Sequence, residues 1–254
     1  MKNFFFAVIC LLVLAFGISS SCVSSSETKI KNKKIAQAVY QEGKVYFEQK
    51  RYSTALAKFL EAEKTISDDQ FLQYDIGITY MINKRYDLAE KFFKKALDIQ
   101  KEFMPAMNGL GAAYLEQKKL DKAIECFKMC IDSLLYATPH YALANLGWAY
   151  LGKKDYALAS DYFLKALKKV PGYPRALHGF VTVSLETNRE YLALKKLDKA
   201  VKKHPDSMII HYDYARIFEK TGQYQQARKH WEKVIDLAPD ESNFMAEAES
   251  RLRK

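Results

Sequence analysis

Glycine recurs at Gly43, Gly77, Gly111 and Gly147, at intervals of 34, 34 and 36 residues, and three residues after each stands a tyrosine: Tyr46, Tyr80, Tyr114 and Tyr150. A second series keeps the same phase. It comprises Ala55, Ala89, Ala123, Ala159, Ala193 and Ala227, followed four residues on by Phe59, Phe93, Phe127, Phe163, Leu197 and Trp231. Residues four apart share one face of a helix, so this series marks one helix per period. A period of this length is one supersecondary unit, copied six times. A lone helix pair cannot bury its apolar face, so the chain must stack its units to obtain a core. The few glycines and prolines lie near turns or repeat positions, and no strand-like alternation appears, so the fold class is all-α.

The best copy reads Leu143, then Asn145-Leu146-Gly147-Trp148-Ala149-Tyr150, then Ala159, Phe163, Ala166 and Pro171. It resembles a tetratricopeptide repeat, a helix-turn-helix unit in which small residues let the two helices approach and a proline closes the second. Val181 and Ala215 replace the glycine in the fifth and sixth copies, whose second helices close at Pro205 and Pro239. The resemblance implies a right-handed superhelical solenoid of about six repeats, continuous from residue 36 to 241. Phe244, Met245, Ala248 and Leu252 stand at helical spacing in the final stretch, which reads as a capping helix and completes a solenoid domain at 35–254.

The start of the chain is of another kind. Met1-Lys2 precedes an apolar run from Phe4 to Ile18 and then Ser19-Ser20-Ser21-Cys22, the layout of a secretory signal peptide at 1–21. The run is short for a membrane span, though an uncleaved anchor is the alternative. Cys22 after two serines resembles the lipobox of bacterial lipoproteins, in which the cysteine is lipidated and becomes the mature N-terminus; a chance cysteine is the other reading. Val23 in place of aspartate favours the outer membrane under the enteric sorting rule. Residues 22–34, polar and then basic, read as the lipidated cysteine and a flexible tether.

The net charge of +10 points, behind an export signal, to acidic partners or a solvated surface rather than to nucleic acid. Of four cysteines, Cys126 and Cys130 fall in the repeats and read as reduced core residues, since a helical i,i+4 pair is poorly set for a disulfide. No histidine pair of metalloprotease spacing, phosphate loop or nucleophile elbow is present. The expectation is a non-enzyme without cofactor or metal. Function then falls to the concave groove, which first-helix positions line in this fold. On this chain they include Tyr40, Tyr74, Ile78, Asn108, Tyr141, Ala144 and Trp148, an aromatic and apolar set suited to an extended or helical peptide.

A lipobox at Cys22, six repeats and the segment Leu134-Leu135-Tyr136-Ala137-Thr138-Pro139 ahead of Ala144-Asn145-Leu146-Gly147 resemble the type IV pilus biogenesis and stability lipoprotein family, the pilotin-like PilF/PilW proteins. The two extra residues between Gly111 and Gly147 match that family's insertion. The resemblance implies an outer-membrane lipoprotein facing the periplasm that binds secretin subunits and aids their assembly, tethered by palmitate and its companion chains. A scaffold for other outer-membrane machinery, or a regulatory subunit of a peptidoglycan enzyme, are the alternatives.

Overall fold

A computed structural model describes residues 26–134, 136–239 and 242–253, all helix and turn. Thirteen helices lie among the described residues. The first, α1, covers 26–48. It is followed by α2 (Tyr52–Glu63), α3 (Gln70–Ile82), α4 (Tyr86–Ile99), α5 (Met104–Glu116), α6 (Leu120–Asp132) and α7 (Pro139–Gly152). Then come α8 (Tyr156–Lys169), α9 (Pro174–Glu186), α10 (Glu190–Val201), α11 (Met208–Lys220), α12 (Tyr224–Leu237) and α13 (Asn243–Leu252). They form six pairs and a terminal helix, the tetratricopeptide-repeat architecture expected from the spacing. Two compact units meet in sequence at Phe103 and Met104.

Residues 26–34 correct one expectation. Read as tether, they are helical, and every one of them is exposed. The first side chain to be buried is Ala36, so the packed core begins where the repeat pattern begins although the helix does not. The capping helix forms as expected, with Ser242 Oγ accepting from the Met245 amide at its N-cap. Ala248 is buried, and Phe244 and Leu252 pack against Trp231 and its neighbours.

The repeated residues explain the pairs. In the first unit Ala55, Phe59, Ala89 and Phe93 are fully buried, and in the second Ala123, Phe127, Ala159, Phe163, Ala193 and Leu197 are too. Burying a phenylalanine side chain stabilises by about 1.5–3 kcal/mol, so the repeating aromatic is a main source of cohesion in each pair. The constant phase of glycine has a steric cause. A Cβ on Gly43, Gly77, Gly111 or Gly147 would stand 2.5–2.7 Å from the ring of Phe59, Phe93, Phe127 or Phe163 respectively. Where Leu197 replaces the ring, the first helix admits Val181, and both are fully buried. Large and small residues exchange across each pair at nearly constant fill.

Each pair also turns in one way. Lys50, Lys84, Lys118, Lys154, Asn188 and Gly222 all have φ between 53° and 74°, at the corner between first and second helix. The Lys50 amide donates to the Phe47 carbonyl and the Arg51 amide to the Tyr46 carbonyl, both at 2.9 Å. The same two bonds recur at Lys84 and Arg85, at Lys118 and Lys119, at Lys154 and Asp155, and at Gly222 and Gln223. This is the Schellman arrangement, and it satisfies the last carbonyls of every first helix it closes. Lysine holds a left-handed position at four of the six corners, where glycine carries no Cβ penalty.

Candidate functional site

In the second unit the odd-numbered helices lie side by side: α5 packs on α7, α7 on α9 and α9 on α11. Their shared face is joined by side chains. Asn145 Nδ2 donates to Asn108 Oδ1 at 3.2 Å, and Asn145 Oδ1 accepts from Arg175 Nε at 2.8 Å. Trp148 Nε1 donates to the Arg175 carbonyl at 3.2 Å, while the guanidinium stands 5.8 Å from the indole centroid. The indole meets Phe163 edge-on and leans on His178, with ring centroids 5.6 Å apart in both cases.

The row continues onto α11 and α13. His178 Nδ1 lies 2.7 Å from Asp213 Oδ1, and Arg216 approaches the same oxygen at 3.8 Å. Arg216 also donates to Thr182 Oγ1 at 3.3 Å. Asp213 is fully buried, which pushes its carboxyl above the usual carboxylate range against the opposing pull of the His178 hydrogen bond. Tyr212 donates to Glu247 Oε2 at 2.9 Å, and burial followed by that hydrogen bond pushes its phenol up to about 12. The face is therefore a preset ladder of amide, guanidinium, imidazole and aromatic groups.

The first unit has its own version. Tyr40 donates to Asp75 Oδ2 at 2.7 Å, with the Lys44 ammonium 5.7 Å from the tyrosine ring. Tyr74 packs against Phe93 and Phe103 with centroids 5.9 and 5.6 Å away, and Phe71 meets Phe103 at 5.2 Å. Phe71 is exposed, and Ile78 is half-buried.

The expected groove residues separate into three groups. Tyr141, 43% exposed, stands at the surface within a cluster formed with His140 and Tyr173. Tyr74, Ile78, Asn108 and Trp148 are half-buried and present one side to solvent. Two are corrected. Ala144 is completely buried, because it belongs to the core that includes Phe163 and Leu143, and its neighbour Asn145 takes the polar place. Tyr40 is only 6% exposed, being held edge-on against Phe59, so its ring is core and only its hydroxyl reaches Asp75. Cys22 lies outside the described residues.

Arg175, His178, Thr182, Tyr212, Asp213 and Arg216 were not among the expected site residues. The periodicity was sufficient to find several of them: steps of 34 from Ala144 reach His178 and Tyr212, and from Trp148 reach Thr182 and Arg216. Cys126 and Cys130 are buried as expected; the Cys130 thiol donates to the Met104 carbonyl at 3.6 Å, and burial pushes it up to about 12. Among the described residues no group of three or more His, Cys, Asp or Glu is placed to hold a metal. No helix among them is long and apolar enough to cross a membrane.

Models of the tetratricopeptide repeat match residues 70–135, 102–169 and 209–241, together more than half of the chain. The chain is a tetratricopeptide-repeat protein. No curated protein sequence matches it. This tetratricopeptide-repeat protein is similar in structure to PilW, described as a widely conserved type IV pilus biogenesis factor, with a TM-score of 0.72 at 18% identity over 84% of this chain and 97% of that one. It is similar also to PilF of Pseudomonas aeruginosa, with a TM-score of 0.66 at 20% identity over 86% of this chain and 98% of that one. A tetratricopeptide repeat protein from Parabacteroides merdae gives a TM-score of 0.72 at 11% identity, over 86% and 83% of the two chains. At these identities the likeness is one of fold. A fold of stacked helix pairs with a preset, partly solvent-facing side-chain ladder is a protein-binding scaffold.

Proposed function

We propose that this chain is a scaffold of the bacterial envelope that binds secretin subunits during type IV pilus assembly, anchored to the outer membrane by lipid on Cys22 and facing the periplasm. The observation that carries the reading is the ladder from Asn108 through Asn145, Arg175 and His178 to Tyr212, whose groups are held in place before any partner arrives. Preset donors and aromatic faces bind a peptide without the cost of ordering them, which is what a subunit chaperone requires. The match over nearly the whole length of PilW and PilF, both pilus proteins, supports the assignment to that system. The anchor has a defined purpose in this scheme: it raises the effective concentration of captured subunits at the membrane where they insert.

The test is calorimetric titration of the full chain with secretin subunits from the same cell. Saturable binding that Tyr141→Ala weakens supports the reading. Binding that is absent removes the secretin as partner, and affinity capture from the native envelope then identifies the replacement. The anchor is tested separately. Cys22→Ala protein should leave the membrane fraction, and if it stays there with its signal uncut the apolar run is itself the anchor.

A further inference from the structure

A cavity of about 510 Å³ opens between the last turn of α8, the turn that follows, α9 and the end of α10. This volume lies in the range of small-ligand sites. Its floor is apolar, formed by Leu167, Leu177 and Ala200, all buried. Lys196, Lys199, Lys202 and Lys203 line it. Lys196 and Lys199 share one face of α10 by their spacing, Lys202 caps the helix, and Lys203 follows in the turn.

Some lysines of the same unit are paired with acids. Lys153 closes on Asp121 and Lys165 on Asp161, each at 2.7 Å. None of the four cavity lysines makes an ion pair among the described residues. The one acid in the second half of α10, Asp198, accepts a hydrogen bond from the Tyr214 hydroxyl at 2.6 Å. No acid occurs from residue 164 to 173, where Lys168 and Lys169 add two more positive charges to the last turn of α8. Cations near a helix C-terminus favour its dipole, which explains single lysines at these ends. It does not explain an apolar cavity bordered by four of them.

We propose that this cavity is a binding site for an anionic phospholipid, with the phosphate among the four ammonium groups and the upper acyl segments over Leu167, Leu177 and Ala200. Lysine suits such a site because a rotatable point charge on an apolar stem follows a phosphate in several orientations while the stem covers hydrocarbon. Clusters of four or more such residues bind anionic membrane surfaces. The four lysines belong to the end of a second helix, apart from the polar groups of the first-helix ladder, although Leu177 of the floor comes from α9, and the site owes nothing to Cys22. It would turn this side of the second unit toward an anionic leaflet and leave the ladder open to a protein.

The experiment titrates the full chain with dihexanoylphosphatidylglycerol and with dihexanoylphosphatidylcholine, both below their micelle concentrations so that no bilayer competes. Two charge-reversed forms are compared with it, Lys199→Glu with Lys203→Glu at the cavity and, as a control of equal charge change, Lys128→Glu on α6 with Lys229→Glu on α12, each shown by circular dichroism to melt as the parent does. Phosphatidylglycerol should bind about tenfold tighter than phosphatidylcholine, and the cavity pair should lose about tenfold or more of that affinity. The control pair, which does not line the cavity, should lose less than about threefold, because exposed charges away from the site are screened. Equal binding of the two lipids, or equal losses in the two variants, overturns the site. Inorganic phosphate binding as tightly as the lipid would show that the apolar floor plays no part, and polyglutamate doing so would point to an acidic protein; either result overturns the lipid assignment.

Discussion

Phe163 lies against Gly147 so closely that a Cβ on the glycine would stand 2.5 Å from the ring, and the same ring also fills the space over Gly179 on the next repeat. The ring is fully buried and has no free direction in which to move. Gly147→Ala should therefore destabilise the second unit, by about 1–3 kcal/mol for the overpacking, less the ~0.5–1 kcal/mol that alanine gains in a helix interior. Adding Phe163→Leu should recover part of the loss, as the pairing of Val181 with Leu197 does in the following repeat. A double-mutant cycle on urea midpoints measures this, and additive losses would deny that the two positions share the space.

Ala159 is a related case within the same pair. It is fully buried, so Ala159→Leu should lower the thermal midpoint, with overpacking typically costing about 1–3 kcal/mol. An unchanged melting curve would contradict the packing register itself.

Lys84 is exposed and holds φ at 56° in the corner between α3 and α4. A left-handed position costs a residue with a Cβ roughly 1–2 kcal/mol, part of which glycine's greater freedom in the unfolded chain gives back. Lys84→Gly should stabilise the first unit by about 0.5–1 kcal/mol, read as a higher denaturant midpoint. Lys84→Val should do the reverse.

His211 and His230 predict a pH dependence. His211 Nε2 lies 2.7 Å from the Pro205 carbonyl, which only accepts, so that nitrogen holds the proton and Nδ1 of the neutral ring is bare. His230 Nδ1 donates to it at 2.9 Å. Burial first, and the facing His211 second, push the His230 imidazole down to about 4. Its folded value lies below the unfolded one of about 6.5, so its contribution to stability is complete above about pH 6.5 and is lost as the pH falls toward 4. Solvent reaches part of the ring, and the loss should be on the order of 1–2 kcal/mol. His230→Gln should show a flatter stability curve between these values than the parent, and parallel curves would remove the pair as the cause.

Trp148 and Tyr141 should behave differently on truncation. Trp148 packs on Phe163 and donates to the Arg175 carbonyl, so Trp148→Ala should lower both thermal stability and partner affinity. Tyr141 is exposed, so Tyr141→Ala should leave the melting curve in place. If its ring anchors a partner with about 2 kcal/mol, as aromatic hot spots do, binding should weaken by roughly thirtyfold. Undiminished binding by a stable Tyr141→Ala protein would exclude that surface.

The 34-residue recurrence determined the helix pairs, because burial at a fixed phase leaves the chain one way to stack. Ala55, Phe59, Ala159 and Phe163 could be assigned to the core from spacing alone, and all are fully buried. The capping helix was legible for the same reason. The first helix was not. Residues 26–34 bury no side chain, so no periodic signal marks them, although they continue the helix that Ala36 begins to pack. The side-chain ladder was legible only in part. Repeat arithmetic reaches His178, Tyr212 and Arg216, but it treats Ala144 as the equal of Asn108, and the packing turns Ala144 into the core and gives its polar place to Asn145. Tyr40 was assigned to the groove by position and taken into the core by contact with Phe59. Periodicity reports which residues share a helix face, and that much the sequence settled. How far each side chain reaches, and which neighbour covers it, depends on the facing helix, and only the tertiary structure decides that.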